Sequence, residues 1–85
     1  MSEFNVSATL KVSLDDQSKI EEVKSGIKEL AHVRQFAEED IGFGIKVLKV
    51  SILMNDSEGG MDELEEKIRK VPNVSEVDVL EVGRL

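Results

Sequence analysis

Few side chains in this sequence can make or break bonds. It has no cysteine, and its one imidazole, His32, has no patterned partner, so nothing supports nucleophilic catalysis by a Cys/His or Ser/His pair, and a multi-ligand zinc site has too few donors. His32 reads as a residue just after a helix, where partial positive charge suits the C-terminal dipole. The run Glu38-Glu39-Asp40 could hold a cation, but like charges beside a strand more often form a solvated edge that discourages unwanted pairing. Gly59-Gly60 before a helix invites an anion. Asp56, Glu58 and Asp62 around it would repel one, no phosphate-loop or dinucleotide fingerprint is present, and a tight turn is the better reading. Neither catalytic nor metal-ligating residues nor a cofactor are expected.

Two features resist a purely structural account. Phe43 stands between Gly42 and Gly44, neighbours that bend easily and leave the ring uncovered. It either caps the end of a sheet or serves as an anchor in another protein's pocket. The chain ends Val82-Gly83-Arg84-Leu85, where a glycine releases a basic and then an apolar residue at a terminus expected to be loose.

The elements that must position these residues follow from hydrophobic period. From Phe4 to Leu14 apolar and polar residues alternate without exception, as in a strand with one buried face. Ile20, Val23, Ile27 and Leu30 then share one face of an amphipathic helix, with Ser18 and Glu21 at capping-box spacing and Gly26 a weak point inside it. The stretch Val33 to Asp40 is polar and poorly patterned. Ile45 to Met54 is the strongest strand signal, with Leu48, Val50, Ile52 and Met54 on one face and a mixed Ile45, Val47, Lys49, Ser51, Leu53 on the other, which suits a central strand. A turn over Asn55 to Gly60 precedes a second helix with Met61, Leu64, Ile68 and Val71 on its apolar side, acidic at its start, basic at its end and stopped by Pro72. The last strand, Val74 to Val82, changes phase between Val77/Val79 and Leu80/Val82, as a bulge would require. The order β-α-β-β-α-β predicts a ferredoxin-like α+β sandwich, a four-stranded antiparallel sheet with two helices on one face.

With 85 residues the chain has room for one core, so a single domain over 1–85 is expected. The net charge of −7, from 11 basic and 18 acidic residues, disfavours nucleic acid as a direct partner. Aromatics at 4% disfavour base stacking on the open sheet face. It would speed encounter with a basic protein surface. No apolar run long enough to span a bilayer and no signal-peptide pattern is present, which places the chain in the cytoplasm with no membrane partner.

The segment EEDIGFGIKVLKVSILMND, then EGG, DELEEKIRKV and NVSEVDVLEVGRL, resembles the archaeal-type elongation factor 1-beta family and the C-terminal exchange domain of its eukaryotic relatives. The similarity is close from Glu38 to Leu85 and looser from Phe4 to Leu30. It implies a non-enzymatic guanine-nucleotide exchange factor that promotes GDP release from the GTPase elongation factor 1-alpha during polypeptide elongation. Arg84 matches the family's penultimate lysine, associated with disturbing the magnesium site of the GTPase. Phe43 matches the aromatic of the IGFG-type motif, associated with docking. The resemblance thus assigns partner binding to Phe43 on its mount Gly42 and Gly44, and to Arg84 with its apolar neighbour Leu85. The sequence departs from the family where Asp40 replaces a frequent proline and Gly83 a common basic residue. With three residues before Phe4, a free-standing, monomeric exchange domain is expected. The alternative is a regulatory or small-molecule-binding ferredoxin-like module that dimerises through its sheet, which would use the mixed outer face of the central strand instead of the C-terminus.

Overall fold

The computed structural model describes residues 4–55 and 61–85. Alternation carries through into the first strand, β1 (Val6–Leu14), where Val6, Ala8, Leu10 and Val12 are buried and the residues between them are half-exposed. Phe4, expected within this strand, lies before it and stacks its ring on His32, 4.6 Å between centroids. A short 3-10 turn over Gln17–Lys19 leads into α1 (Ile20–Leu30). Ser18 is not the cap of this helix. Asp16 caps the 3-10 turn instead, accepting from the Ser18 N–H at 3.0 Å and from its hydroxyl at 2.7 Å, and α1 itself starts after Lys19 without a side-chain cap. The strands β2 (His32–Gly42) and β3 (Ile45–Met54) follow as a hairpin, then α2 (Met61–Arg69) and β4 (Val74–Arg84). The glycine turn expected at Asn55–Gly60 falls mostly outside the described residues.

The four strands form one antiparallel sheet in the order β2-β3-β1-β4, so β3 is central, as expected from its apolar and mixed faces, and shares the middle of the sheet with β1. One face carries both helices. Val23 and Ile27 of α1 and Ile68 of α2 bury completely against Leu10, Val12, Leu48, Val50 and Ile52, with Val71 and Val77 closing the cluster. Each such side chain contributes about 1.5–3 kcal/mol by leaving water, far more than any surface ion pair here. Leu30, expected on the buried face, is half-exposed at the end of α1. Val47, on the outer face by alternation, is nevertheless buried. Glu39 stands opposite it and reaches Lys49 at 2.7 Å, which lays the aliphatic stems of an ion pair along that face.

The poorly patterned stretch after His32 is a full strand. Its register on β3 slips by one residue at Arg34, so Val33 faces Ile52 and Phe36 faces Val50, both toward the helices although three residues apart. β4 does the same. Leu80 is skipped between Leu10↔Val79 and Thr9↔Glu81, which is the bulge its phase change demands, and Ser75 is skipped between Leu14↔Val74 and Ser13↔Glu76. β4 continues two residues beyond the expected Val82.

The acidic run on β2 does not gather into a cation site, and no group of three or more candidate ligands occurs among the described residues. Glu38 turns to α1, 3.1 Å from Lys24 Nζ and 3.7 Å from Lys46 Nζ; Glu39 takes Lys49; Asp40 turns to the hairpin tip. Lys24 also meets Glu21 at 3.1 Å, and with Lys28 lies about 6 Å above the Phe36 ring. The hydrogen bond from Lys24, then its charge, holds the Glu38 carboxyl below the usual range, while Glu38 and then Glu21 raise the Lys24 ammonium.

Gly26 has a packing reason that outweighs its cost in helix propensity. A Cβ built on it would stand 2.9 Å from Val71 Cγ1, so glycine is what lets the segment after α2 close on α1. Gly26→Ala is expected to gain about 1 kcal/mol of helix propensity and lose about 1–3 kcal/mol to overpacking, lowering the denaturation midpoint. In a Val71→Ala background the same change should raise it, and a urea-unfolding double-mutant cycle measures the sign reversal. For the Glu38–Lys24 pair, the depressed carboxyl contributes stability above its unfolded value and loses it as pH falls through its folded value. An NMR titration of Glu38 should find a midpoint below that of a glutamate without a basic partner, moving up in Lys24→Met. An unmoved midpoint would show that the pair does not form in solution.

Candidate functional site

The β2–β3 hairpin closes with Gly42 paired to Ile45 and only Phe43 and Gly44 between them. A two-residue loop of this kind needs positive φ at both central positions if it is to match the twist of the strands, which is why Asn-Gly is the usual solution. Here φ is +57° at Phe43 and +73° at Gly44, after +107° at Gly42. Gly42 and Gly44 thus supply conformations that other residues resist. Phe43 adopts one against its own preference, a departure typical of functional sites. Its ring is fully exposed (103%), so no burial offsets that strain within this molecule. Phe43 does not cap the sheet.

Two side chains join it at the tip, and the sequence places only Ile45 of them, on the mixed outer face of the central strand. Ile41 (54% exposed) is skipped in the register between Asp40↔Lys46 and Gly42↔Ile45, and Ile45 (45%) starts β3, so the hairpin tip is an apolar knob of three residues. Its base is held by two polar side chains whose role here the sequence does not disclose, Asp40 reading only as part of an acidic run and as a departure from a family proline, and Gln17 not at all. Asp40 Oδ1 accepts the Gly42 N–H at 2.8 Å, and Gln17 Oε1 accepts the Lys46 N–H at 2.8 Å. The one available clue was composition: Asp precedes the glycines by two residues, the spacing of a side-chain turn.

The C-terminus is a different site. Arg84 stands opposite Val6 and Gly83 opposite Ser7 on the edge strand β4, and the Leu85 N–H donates to Asn5 O at 3.1 Å. The tail is therefore not loose, because β1 begins early enough to pair it. It is also not covered: Val82, Gly83, Arg84 and Leu85 are all exposed, Leu85 to 62%. Arg84 lies level with the start of β1, whereas Phe43 lies beyond the far end of β1. At about 3.3 Å per strand residue the two are roughly 30 Å apart, within a molecule 42 Å in its longest dimension. The structure thus does not bring Phe43, Gly42 and Gly44 together with Arg84 and Leu85. His32 begins β2 at the Arg84 end, stacked on Phe4, beside an open groove of about 420 Å³ that Leu30, Leu53, Met54 and Leu64 also line.

Among solved structures, the ACT domain from the GTP pyrophosphokinase of Chlorobium tepidum superposes with a TM-score of 0.64 over 89% of this chain and 99% of that one, at 20% identity. The C-terminal domain of the MgtC protein from Mycobacterium tuberculosis does so at 0.66 over 100% and 93%, at 14% identity. These likenesses concern the fold. In sequence, the chain is 41% identical to elongation factor 1-beta of Thermofilum pendens over 93% of both chains. It is 40% identical to that of Aeropyrum pernix over 87% of this chain and 83% of the relative. It is 34% identical to that of Thermoplasma acidophilum over 93% and 96%. Residues 7–85, which include the glycine-flanked knob and the exposed strand end, match the EF-1 guanine nucleotide exchange domain, and the chain belongs to that family.

Proposed function

We propose that this chain accelerates GDP release from elongation factor 1-alpha by engaging the GTPase at two separate places, with Phe43 and its flanking isoleucines at one and Arg84-Leu85 at the other. The observation that carries this reading is Phe43, an aromatic residue held at positive φ and left wholly in water. Covering the ring in a partner's pocket supplies the burial that its own fold does not.

Such a protein performs no covalent step. It forms a complex in which nucleotide is held less tightly, and linkage requires nucleotide to weaken the factor's own binding by the same ratio. The GTPase's grip on GDP depends on its divalent cation and phosphate contacts, and a guanidinium presented at that site competes with the ion. Because Arg84 is fixed at a strand end, it arrives with the whole body, and little chain entropy is lost on docking. Its planar fork differs from the family's lysine in bulk and donor geometry. The chain acts as a single domain and as a monomer in this reading: Glu76, Asp78 and Glu81 along β4 would face their own kind if two copies paired edge to edge.

The direct test is release of fluorescent GDP from GDP-loaded elongation factor 1-alpha of the same source. Acceleration is expected at micromolar factor; none would overturn the assignment. Within that assay, Phe43→Asn should separate the two roles of the turn, since asparagine suits its backbone. The expected outcome is a higher unfolding midpoint, by about 1 kcal/mol of relieved strain, with affinity for the GTPase weaker by about 1–3 kcal/mol. Arg84→Ala should leave circular dichroism unchanged while lowering the maximal release rate, and Arg84→Lys should restore most of it. An Arg84→Ala protein with an undiminished rate would remove the strand end from the mechanism.

A further inference from the structure

The geometry points to Asp40 and Gln17 as positioning residues that fix the angle at which the body presents Phe43. The inference rests on the docking role of Phe43 given above and adds how that role is maintained.

β1 pairs with β3 only as far as Val12↔Leu48, and Leu14 is its last strand residue. β3 begins three residues earlier than that pair, at Ile45, so the base of the hairpin projects beyond its neighbour. A backbone N–H in that overhang, Lys46, would have no strand to donate to on the β1 side. The amide oxygen of Gln17, from the turn that follows β1, takes the place of the missing strand carbonyl at 2.8 Å. On the other arm, the bulge at Ile41 takes the Gly42 N–H out of regular pairing, and the Asp40 carboxylate accepts it at 2.8 Å. Both bonds sit within three residues of Phe43, one on each arm of the hairpin, and both are made by side chains.

Either bond alone would leave one arm able to swing or to relax its bulge. With both made, the rotation of the knob about the strand direction is set by the 3-10 turn at the foot of α1. The braced hairpin therefore presents Phe43 already oriented for docking, and little ordering of the tip is left to be done when the ring enters its pocket.

Stopped-flow GDP release as a function of factor concentration tests this, using the full chain and Asp40→Ala, Gln17→Ala and the double variant. Each single variant should raise the half-saturating concentration about three- to tenfold, the range expected for losing one hydrogen bond that orders a loop. The limiting rate should hold, because Arg84 is untouched. Asp40→Asn and Gln17→Glu keep an oxygen in the same place and should restore the half-saturating concentration. In a Phe43→Ala background, Asp40→Ala and Gln17→Ala should have no further effect. A limiting rate that falls instead, failure of the conservative variants to rescue, or an equal effect with and without the Phe43 ring would overturn the positioning role. Phe43→Ala on its own separates the two readings. If it is silent, the docking role falls and the positioning role with it; if it weakens binding while Asp40→Ala and Gln17→Ala are silent, only the positioning role falls. Melting curves of all variants identify any that lose the fold, and for those the three-bond HN–Hα coupling of Phe43 in Asp40→Asn against wild type replaces the kinetic comparison, an altered φ overturning the inference.

Discussion

Backbone amides must find acceptors wherever a sheet ends, and in this molecule that requirement shapes the surface that matters. β3 is paired on both sides along its middle, against β1 through Val12↔Leu48 and against β2 from Ile45 to Leu53. That pairing, with its inner face closed by Val23, Ile27 and Ile68, is the rigid part of the structure. Past the end of β1 the same strand continues with one neighbour instead of two, and the tip it carries is held by side-chain acceptors from Gln17 and Asp40. At the other end β1 is the longer partner, and it draws the C-terminal residues into the sheet through Arg84 and Leu85. One staggered set of strand lengths thus produces a projecting hairpin at one end and an ordered, uncovered chain end at the other.

Much of this was legible. The alternation of β1, the two-faced apolar pattern of β3 and the helical period of Ile20, Val23 and Ile27 each marked an element whose burial follows from a regular period. β2 was illegible for a definite reason. A bulge converts a two-residue repeat into a three-residue one, so Val33 and Phe36 read as unpatterned although both face the helices. Val74 and Val77 of β4 are spaced by the same device, and there the sequence did show the second slip, at Leu80. Glycines marked the hairpin tip, but not what braces it, since neither Gln17 nor Asp40 belongs to a periodic pattern and Gln17 acts across 29 residues. The C-terminus read as loose because pairing depends on where a partner strand begins, and local composition carries no record of that.

The departures from local preference concentrate at the hairpin tip. Nowhere else among the described residues does a large apolar side chain sit at positive φ; the other non-glycine with that conformation is Asn73, a residue that tolerates it and here ends the connection after α2. Asn73 therefore stays within its own preference and Phe43 does not.

Charge gives the two ends different characters. Most basic side chains with a described partner are spent locally: Lys19, Lys24, Lys46, Lys49, Lys67 and Arg69 each meet a carboxylate within 4 Å. The remainder of a chain with net charge −7 is therefore acidic at long range, which favours approach to a basic surface. Arg84 stands at the end of a strand that carries Glu76, Asp78 and Glu81 before it. In the exchange reading, that order lets the acidic strand draw the body toward a basic surface while the terminal guanidinium meets the divalent cation. Two cations at one site repel, so each lowers the occupancy of the other. The reciprocal weakening that defines an exchange factor then needs no conformational change within this chain; it needs only that the strand end be stiff enough to keep its charge where the repulsion is felt.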